Sequence, residues 1–417
     1  MITLPFIKNN SDFFLNAMQK RGFELNFEKL ILLSDEKQKY TNELQSLQAE
    51  KNKIVDEIGI AIQKKETQKI EELKAKTLEI NLKINEVKPL EEIFETQIQN
   101  ILGTIPNILL EDVPLGRSEF ENKVVKFFKE PTTFNFKPKP HTELAKNYFD
   151  FERASKISGS RFVITSGKLA KLERALETFF LQKTTQEGYT EYSLPVLVNS
   201  STVFNSGQLP KFESDLFKTT DSKYLISTAE VPLVSLYANE IIDYASLPIK
   251  MTASTNCFRS EAGSGGKDVT GIIRLHQFKK VEMVSIVEPE KSEEEQQKML
   301  SIAESILKDL EIPYRVALLC SGDTGFQSAK TYDIEVWIPS QDTYREIASC
   351  SNTLDFQSQR AKIRYKKDKK TIYPHILNSS ALPIGRTLVA ILENYQNEDG
   401  TVNVPNALKH YVNFDTI

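Results

Sequence analysis

From about residue 27 to residue 103, apolar positions return every seventh residue. Leu33, Tyr40, Leu47, Ile54 and Ala61 form one series, with Leu44 and Ile58 as a partial second row on the same side. After a polar break from Lys64 to Gln68 the period resumes at Leu73, Ile80, Val87, Phe94 and Ile101, with Thr77, Ile84 and Ile98 beside it. Sevens sustained over this length, with charged flanks, predict a coiled coil, and two similar halves about a short break predict an antiparallel helical hairpin. At 1.5 Å per residue each helix spans roughly 50 Å. Pro89 lacks a backbone donor and is expected to kink the second helix.

Beyond the hairpin the texture changes. Pro106, Pro114, Pro131, Pro138 and Pro140 mark a connector. In the body that follows, Leu169, Leu172, Ala175, Leu176 and Phe179 have helical spacing, whereas Tyr332, Ile334, Val336 and Ile338 alternate like a strand. A Pro339-Ser340-Gln341-Asp342 turn leads from that strand into a second, TYREIASCSN. Strand pairs joined by polar loops and interleaved with helices predict a mixed α/β or α+β body with antiparallel pairing. The expected domains are 1–105 with the hairpin, a connector over 106–150, and the body over 151–417.

Composition narrows the class. A chain of 417 residues, at about 150 per domain, predicts two or three domains. With 40% hydrophobic and 26% charged residues it is neither collagen-like nor disordered. Lys and Arg total 53 against 57 Asp and Glu, a net charge of −4 that predicts no general attraction to nucleic acid or acidic membranes but leaves local basic sites open. No apolar run approaches the ~18 residues of a membrane span. The opening MITLPFIKNNSDFF lacks a basic stretch followed by an apolar one, so no secretory signal is expected. Cys257, Cys320, Cys350 and the four histidines (His141, His276, His375, His410) lack zinc-ligand spacing, which fits a zinc-free cytoplasmic protein. The hairpin carries 12 Lys, no Arg and 15 acidic residues, and by itself fits either a dimerisation or spacer coil or an RNA-touching arm.

Four constellations carry chemistry. TNCFRSEAGSGGKDVTGIIRLHQFKKVEMVSI, residues 255 to 286, reads as strand, glycine-rich loop, strand. Alternation puts Arg259 and Glu261 on one face of the first strand. In the second it puts Arg274, His276, Phe278, Lys280 and Glu282 opposite Ile273, Leu275, Val281 and Met283. A charged strand face is ordinarily just solvated. A Phe among the charges, beside Gly263, Gly265, Gly266 and Gly271, favours a surface that stacks a base and neutralises phosphates. In YREIASCSN, Glu346 and Ser349 are candidate oxygen ligands for Mg²⁺, although by themselves a surface Glu and a buried Ser are the plainer reading. Residues three apart lie on opposite faces of a regular strand, so joint ligation requires a bulge or a strand end. In LNSSALPIGRTLVAILENYQ, Arg386 sits where a helix begins, against the helix dipole, and calls for either an anionic ligand or a nearby carboxylate. In LISTAEVPL, Thr228 and Glu230 precede Pro232, and a Thr there is commonly a helix cap.

Together these segments resemble the seryl-tRNA synthetases of bacterial type, which are class II aminoacyl-tRNA synthetases. FRSEAGSGGKDVTG is similar to the family's motif 2, GRTLVAILENYQ to motif 3, and TEYSLPVLVNSSTVFNSGQLPKF, residues 190 to 212, to the motif 1 region. STAEVPL, AKTYDIEVWIPSQDTYREIASCSN and the hairpin also match, so the resemblance covers essentially the whole chain. It implies a homodimer joined through motif 1 that activates L-serine with ATP and Mg²⁺, then charges tRNA(Ser), and tRNA(Sec) where that tRNA exists. It further implies that Arg259 contacts the α-phosphate and the seryl carboxylate. Glu261 would hold adenine, Phe278 and Arg386 sandwich its ring, and Arg274 reach a terminal phosphate, with Ser260 also at the nucleotide. Glu346 and Ser349 would hold Mg²⁺ while Ile347 and Ala348 line the site. Thr228, Ala229, Glu230, Glu282 and Ser380 would form the serine pocket, and the hairpin would grip the tRNA's long variable arm.

Three departures accompany the resemblance. Thr270 stands where the family usually has Arg, with Lys267 as a substitute contact. Asn378-Ser379-Ser380-Ala381 replaces Asn-Gly-Ser-Gly, which requires a turn built from non-glycine residues. Thr353 replaces a frequent Cys. The basic run Arg360 to Lys370 is a further candidate RNA surface. Two rivals stand beside this reading: a synthetase-like enzyme that charges a carrier protein, and a catalytically dead RNA-binding coiled-coil protein.

Overall fold

A computed structural model describes residues 2–262 and 271–417. The chain divides into two compact units, Thr3–Lys8 with Phe23–Ile105, and Asn9–Gly22 with Pro106–Ile417. In the first, α1 (Phe27–Gln63) and α2 (Thr67–Gly103) have 37 residues each, so each runs for about 55 Å. Asn26 caps α1, its side chain accepting from Lys29 N at 2.9 Å. The turn between the helices spans only Lys64–Glu66, with Lys65 at φ 56°. The heptad residues form the seam: Ile54, Ala61, Leu73 and Ile80 are buried together, with Leu47, Ile58 and Ile84 against them. Nearer the open end Tyr40 stacks on Phe94 at 5.6 Å, and Lys37 pairs with Glu95 at 2.6 Å. Helix α2 continues through Pro89.

The second unit is built on eight strands: β1 (Lys123–Phe128), β2 (Thr190–Glu191), β3 (Ile249–Phe258), β4 (Gln277–Val287), β5 (Tyr314–Leu318), β6 (Lys330–Ile338), β7 (Thr343–Asn352) and β8 (His375–Pro383). They lie in the order β1-β5-β6-β7-β8-β4-β3-β2, antiparallel throughout except for the parallel β2–β3 pair. Its helices include α3 (Gly167–Gln186), α4 (Glu230–Ser235), α5 (Ser292–Asp309), α6 (Phe356–Ala361) and α7 (Ile384–Asn394). Side chains alternate along each strand, and the two faces meet different fates. Val281 and Met283 of β4 and Ile334 and Val336 of β6 join one core with Leu172 and Leu176 of α3, Met299 and Ile306 of α5, and Leu388 and Ile391 of α7. On the opposite face, Val284 and Ile286 are covered by Leu233 and Val234 of α4 in a second core. Phe278, Lys280 and Glu282, which precede them on that face, open into a cleft.

Three expectations change here. The strand expected to carry Arg274 and His276 begins only at Gln277, and the strand expected to carry Arg259 ends at Phe258. His276 therefore leaves the common face, its Nδ1 lying 2.9 Å from Arg259 O and its ring against Phe162 and Phe217. Asn378-Ser379-Ser380-Ala381 is not a turn but part of β8, and the one left-handed residue there is Leu382, φ 79°. Extended backbone imposes no glycine, which accounts for the tolerated Ser and Ala. Arg360 is no surface cation: it is buried, its guanidinium over the rings of Phe204, Phe326 and Phe356 and bonded to the carbonyl of Leu209 at 2.9 Å. Thr270 and Lys267 lie outside the described residues. Among those described, no helix is long and apolar enough to cross a membrane.

The seam of the arm yields a direct test. Ile80→Ala removes a buried side chain between two long helices and is expected to cost the arm about 2–4 kcal/mol. Amide exchange within 67–103 should accelerate while the core strands of the sheet keep their protection.

Candidate active site

The cleft encloses about 460 Å³ over the middle of the sheet. Its floor is four adjacent strands, contributing Asp333 from β6, Glu346 and Ser349 from β7, Asn378 and Ser380 from β8, and Phe278, Lys280 and Glu282 from β4. Arg259, Glu261 and Arg274 reach it from the end of β3 and the residues before β4, Thr228 and Glu230 from the start of α4, and Arg386 from the start of α7.

Glu346 and Ser349 share the cleft because β7 is bulged. Ile334 opposes Ala348, whereas the next residue, Glu335, opposes Glu346, so Ile347 is the extra residue. One slipped residue converts a spacing of three into a shared face. Across from Ser349 in the register stands Asp333. Burial and the neighbouring Glu346 push the Asp333 carboxyl well above its ordinary range, and its Oδ1 has no hydrogen-bond partner among the described residues.

The charges at the nucleotide end hold one another. Arg386 Nη1 donates to the Glu346 carbonyl at 2.8 Å and lies 3.3 Å from its carboxylate, and Arg386 holds that carboxyl below its usual value. Arg274 Nη1 is 3.3 Å from Glu261 Oε2. The Arg259 guanidinium lies over the Phe278 ring at 5.2 Å, and its Nε donates to Ser227 O at 3.4 Å.

A second, buried network closes the other end. Thr228 Oγ1 donates to Glu282 Oε2 at 2.7 Å, and Lys280 Nζ pairs with the same oxygen while donating to Ser380 Oγ at 3.2 Å. Glu230 Oε1 accepts from Gln357 Nε2 at 2.7 Å and from Asn378 Nδ2 at 3.0 Å. Burial, then proximity to Glu282, raises the Glu230 carboxyl to about 7. Thr228 is not the helix cap, a position held by Ala229: its hydroxyl accepts from Glu230 N at 3.3 Å while donating across the cleft to Glu282.

Twelve of the fifteen residues implied by the resemblance line the cleft. The other three point elsewhere: Ala229 and Ala348 are buried in the two cores, and the Ser260 hydroxyl donates to Ser214 O at 2.7 Å. Sequence reasoning left Lys280, Asp333 and Asn378 without roles. Lys280 and Asp333 were visible as charges among apolar strand residues, a pattern that solvated faces share. Asn378 was marked only as the first residue of the segment that stands for Asn-Gly-Ser-Gly.

This sheet, and the cleft over it, are those of a class II aminoacyl-tRNA synthetase core. The family model for the tRNA synthetase class II core domain (G, H, P, S and T) matches residues 211–395, and that for the seryl-tRNA synthetase N-terminal domain matches residues 1–109. The chain is 45% identical to the serine–tRNA ligase of Brucella canis over 417 residues, 99% of this chain and 98% of that protein. A solved structure of seryl-tRNA synthetase from Pyrococcus horikoshii, complexed with ATP, superposes with a TM-score of 0.88 at 37% identity, covering 100% of this chain and 99% of the other. The cytoplasmic serine–tRNA ligase of Naegleria fowleri, in complex with AMP, gives a TM-score of 0.82 at 27% identity over 98% and 96%. The chain belongs to the seryl-tRNA synthetase family.

The raised Glu230 carboxyl makes unliganded stability pH-dependent in a definite direction. A folded-state pKa above the unfolded one contributes stability that is complete below the unfolded value and is lost as pH rises through about 7. Glu230→Gln keeps an acceptor for Gln357 and Asn378 but cannot ionise. Between pH 5 and pH 8 the wild type should lose on the order of 2–3 kcal/mol relative to this variant, read as diverging thermal unfolding curves. Parallel curves would contradict the assignment.

Proposed function

We propose that the cleft activates L-serine with ATP, giving seryl-adenylate and pyrophosphate, and then passes serine to the 3′ end of tRNA(Ser). The observation that carries this reading is the meeting, in one cleft of a seryl-tRNA synthetase family member, of Arg259, Arg274, Arg386 and Phe278 with the buried Thr228–Glu282–Lys280–Ser380 network.

In the first step the serine carboxylate attacks the α-phosphorus in line. A carboxyl–phosphate bond forms, the bond to pyrophosphate breaks, and the leaving oxygen takes the electron pair. The protein's contribution is position and charge. Arg259 faces both the attacking carboxylate and the α-phosphate, Arg274 meets a terminal phosphate, and adenine is held by Glu261 between Phe278 and Arg386. Ser260, Ile347 and Ala348 complete the nucleotide site, Ser260 and Ala348 through backbone. Because Arg386 rests on Glu346, Arg274 on Glu261, and Arg259 on Phe278, ATP enters by exchanging these contacts for its own.

The donor set on β7 suits Mg²⁺, a hard cation that prefers oxygen: the Glu346 carboxylate and the Ser349 hydroxyl share the bulged face beside the unpartnered Asp333 Oδ1. Mg²⁺ bound there with ATP would offset charge on the phosphate oxygens. No zinc enters the reading.

Thr228, Glu230, Glu282 and Ser380 form the serine pocket, Ala229 contributing through its backbone, with Glu282 and Ser380 reading the substrate hydroxyl. Alanine would leave those buried polar groups unpaired, a strong basis for rejection. In the second step a ribose hydroxyl of the terminal adenosine attacks the seryl carbonyl and AMP departs. The arm grips the long variable arm of tRNA(Ser), and of tRNA(Sec) where present, largely by shape and backbone, so its nearly balanced charge is no obstacle. The reading includes a homodimer joined through residues 190–212. The complete arm and its N-terminal-domain match favour a tRNA over a carrier protein, and the intact charge set argues against a dead scaffold.

Serine-dependent exchange of pyrophosphate into ATP is the expected activity, and absence of exchange, or equal exchange with alanine, would refute the reading. Glu346→Ala and Arg259→Ala should each lower that exchange by about a hundredfold or more. Deleting residues 30–100 should preserve exchange and abolish tRNA charging. Charging that survived would remove the arm from recognition.

A further inference from the structure

Arg21 lies in the Asn9–Gly22 segment, which precedes the arm yet belongs to the same compact unit as the cleft. Its guanidinium donates to five carbonyls: Nε to Asn107 at 3.1 Å, Nη1 to Thr324 at 2.7 Å, and Nη2 to Gly325, Phe326 and Ser328 at 2.9, 3.2 and 3.0 Å. Four of these belong to one short loop. The loop's remaining carbonyl, that of Gln327, accepts from Asn107 Nδ2 at 3.0 Å, and Asn107 N also donates to Phe326 O at 2.9 Å. Every carbonyl from Thr324 to Ser328 thus faces Arg21 or Asn107.

With its carbonyls gathered on one side, the loop presents Gly325, Gln327 and Ser328 to the cleft. Phe326 is clamped between Lys211 Nζ at 4.8 Å and Arg360 at 5.6 Å, with Phe212 and Phe356 edge-on. The loop borders a particular end of the cleft. Gln327 lies against Gly207, where a Cβ would come within 3.1 Å of it; the adjacent Gln208 donates to Ser227 Oγ at 2.6 Å; and the Ser227 carbonyl accepts from Arg259. That end holds Thr228 and Glu230.

We infer that Arg21 is a positioning residue for the serine end of the active site, shaping the Thr324–Ser328 wall without touching substrate. The inference rests on the proposed function for its substrate. Its physical basis is the planar fork of the guanidinium, which serves several acceptors in fixed directions where an ammonium serves as a point charge. Without it, the carbonyls of Thr324 and Ser328 lose their donor, while Gly325 O keeps Ser328 N and Phe326 O keeps Asn107 N, so the two ends of the loop must rearrange to find water.

The test uses the full chain with Arg21→Ala, Arg21→Lys and, as a control, the exposed neighbour substitution Lys20→Ala. In serine-dependent pyrophosphate exchange, Arg21→Ala should raise KM for serine about tenfold or more and KM for ATP less than about threefold, with Arg21→Lys intermediate and Lys20→Ala unchanged. Amide exchange over 323–328 should quicken in both Arg21 variants. If Arg21→Ala does not fold, Arg21→Lys carries the same readouts. A lowered melting temperature with unchanged KM values, or an equal rise in both KM values, would overturn the inference by making Arg21 merely structural. Wild-type protein without serine-dependent exchange would overturn the functional reading instead, and unaltered loop exchange in Arg21→Lys would then overturn the role of Arg21 independently.

Discussion

The site depends on the strict alternation of side chains along four neighbouring antiparallel strands. Because successive residues face opposite ways, each strand offers the helices its apolar residues and the cleft its polar ones, and antiparallel pairing brings the polar sets of β6, β7, β8 and β4 into one field. Alternation alone would still send Glu346 and Ser349 to opposite sides. The extra residue at Ile347 resolves that conflict locally, and a second irregularity between Ser380 and Pro383 lets β8 pass into α7 so that Arg386 enters over the same field. Regular sheet supplies the floor, and two interruptions of it aim the groups that the floor could not.

Placing so many charges over a sheet poses an electrostatic problem when no substrate is bound. Each cation rests on a partner that is itself part of the site: Arg386 on Glu346, Arg274 on Glu261, Lys280 on Glu282, Arg259 on the face of Phe278. These pairings limit the desolvation cost of an empty cleft and keep the side chains near their working positions. The two unrelieved carboxyls are treated differently. Burial, and then a neighbouring carboxylate, raises the pKa of Glu230 and Asp333, which make no ion pair among the described residues, so their burial is eased by holding a proton.

The sequence was legible wherever a period ran long enough to be counted. The arm was visible in ten positions at sevens, and the core face of β4 in Val281 and Met283. The need for a bulge near Glu346 followed from a spacing of three. Legibility failed where tertiary contacts override local pattern. Residues 272–276 alternate like a strand but never enter the ladder, so His276 turns away and Ile273 and Leu275 reach the cleft. Arg360 begins a basic run yet is enclosed by three aromatic rings brought from distant segments. Asp333 owes its importance to Ser349 and Glu346 on the neighbouring strand, and Asn378 to Glu230 at the start of α4, partners that a linear reading does not contain.

The two units meet opposite physical demands. The arm is a seam of heptad residues between two helices of equal length, and outside that seam it leaves Leu32, Val55, Ile62, Leu78 and Leu82 exposed. Such a structure is held by contacts along its own length, one layer deep, and its outer faces are free to be shaped by what they touch. The body spends its apolar residues on several cores packed around a polar field, and among the described residues five buried side-chain polar atoms, Asp333 Oδ1 among them, lack a hydrogen-bond partner. A net charge of −4 averages over both and describes neither. What a charge can do is set by its neighbours: twelve lysines on the arm are interleaved with carboxylates, whereas three arginines are gathered over one sheet face, the arrangement on which the proposed binding of phosphates rests.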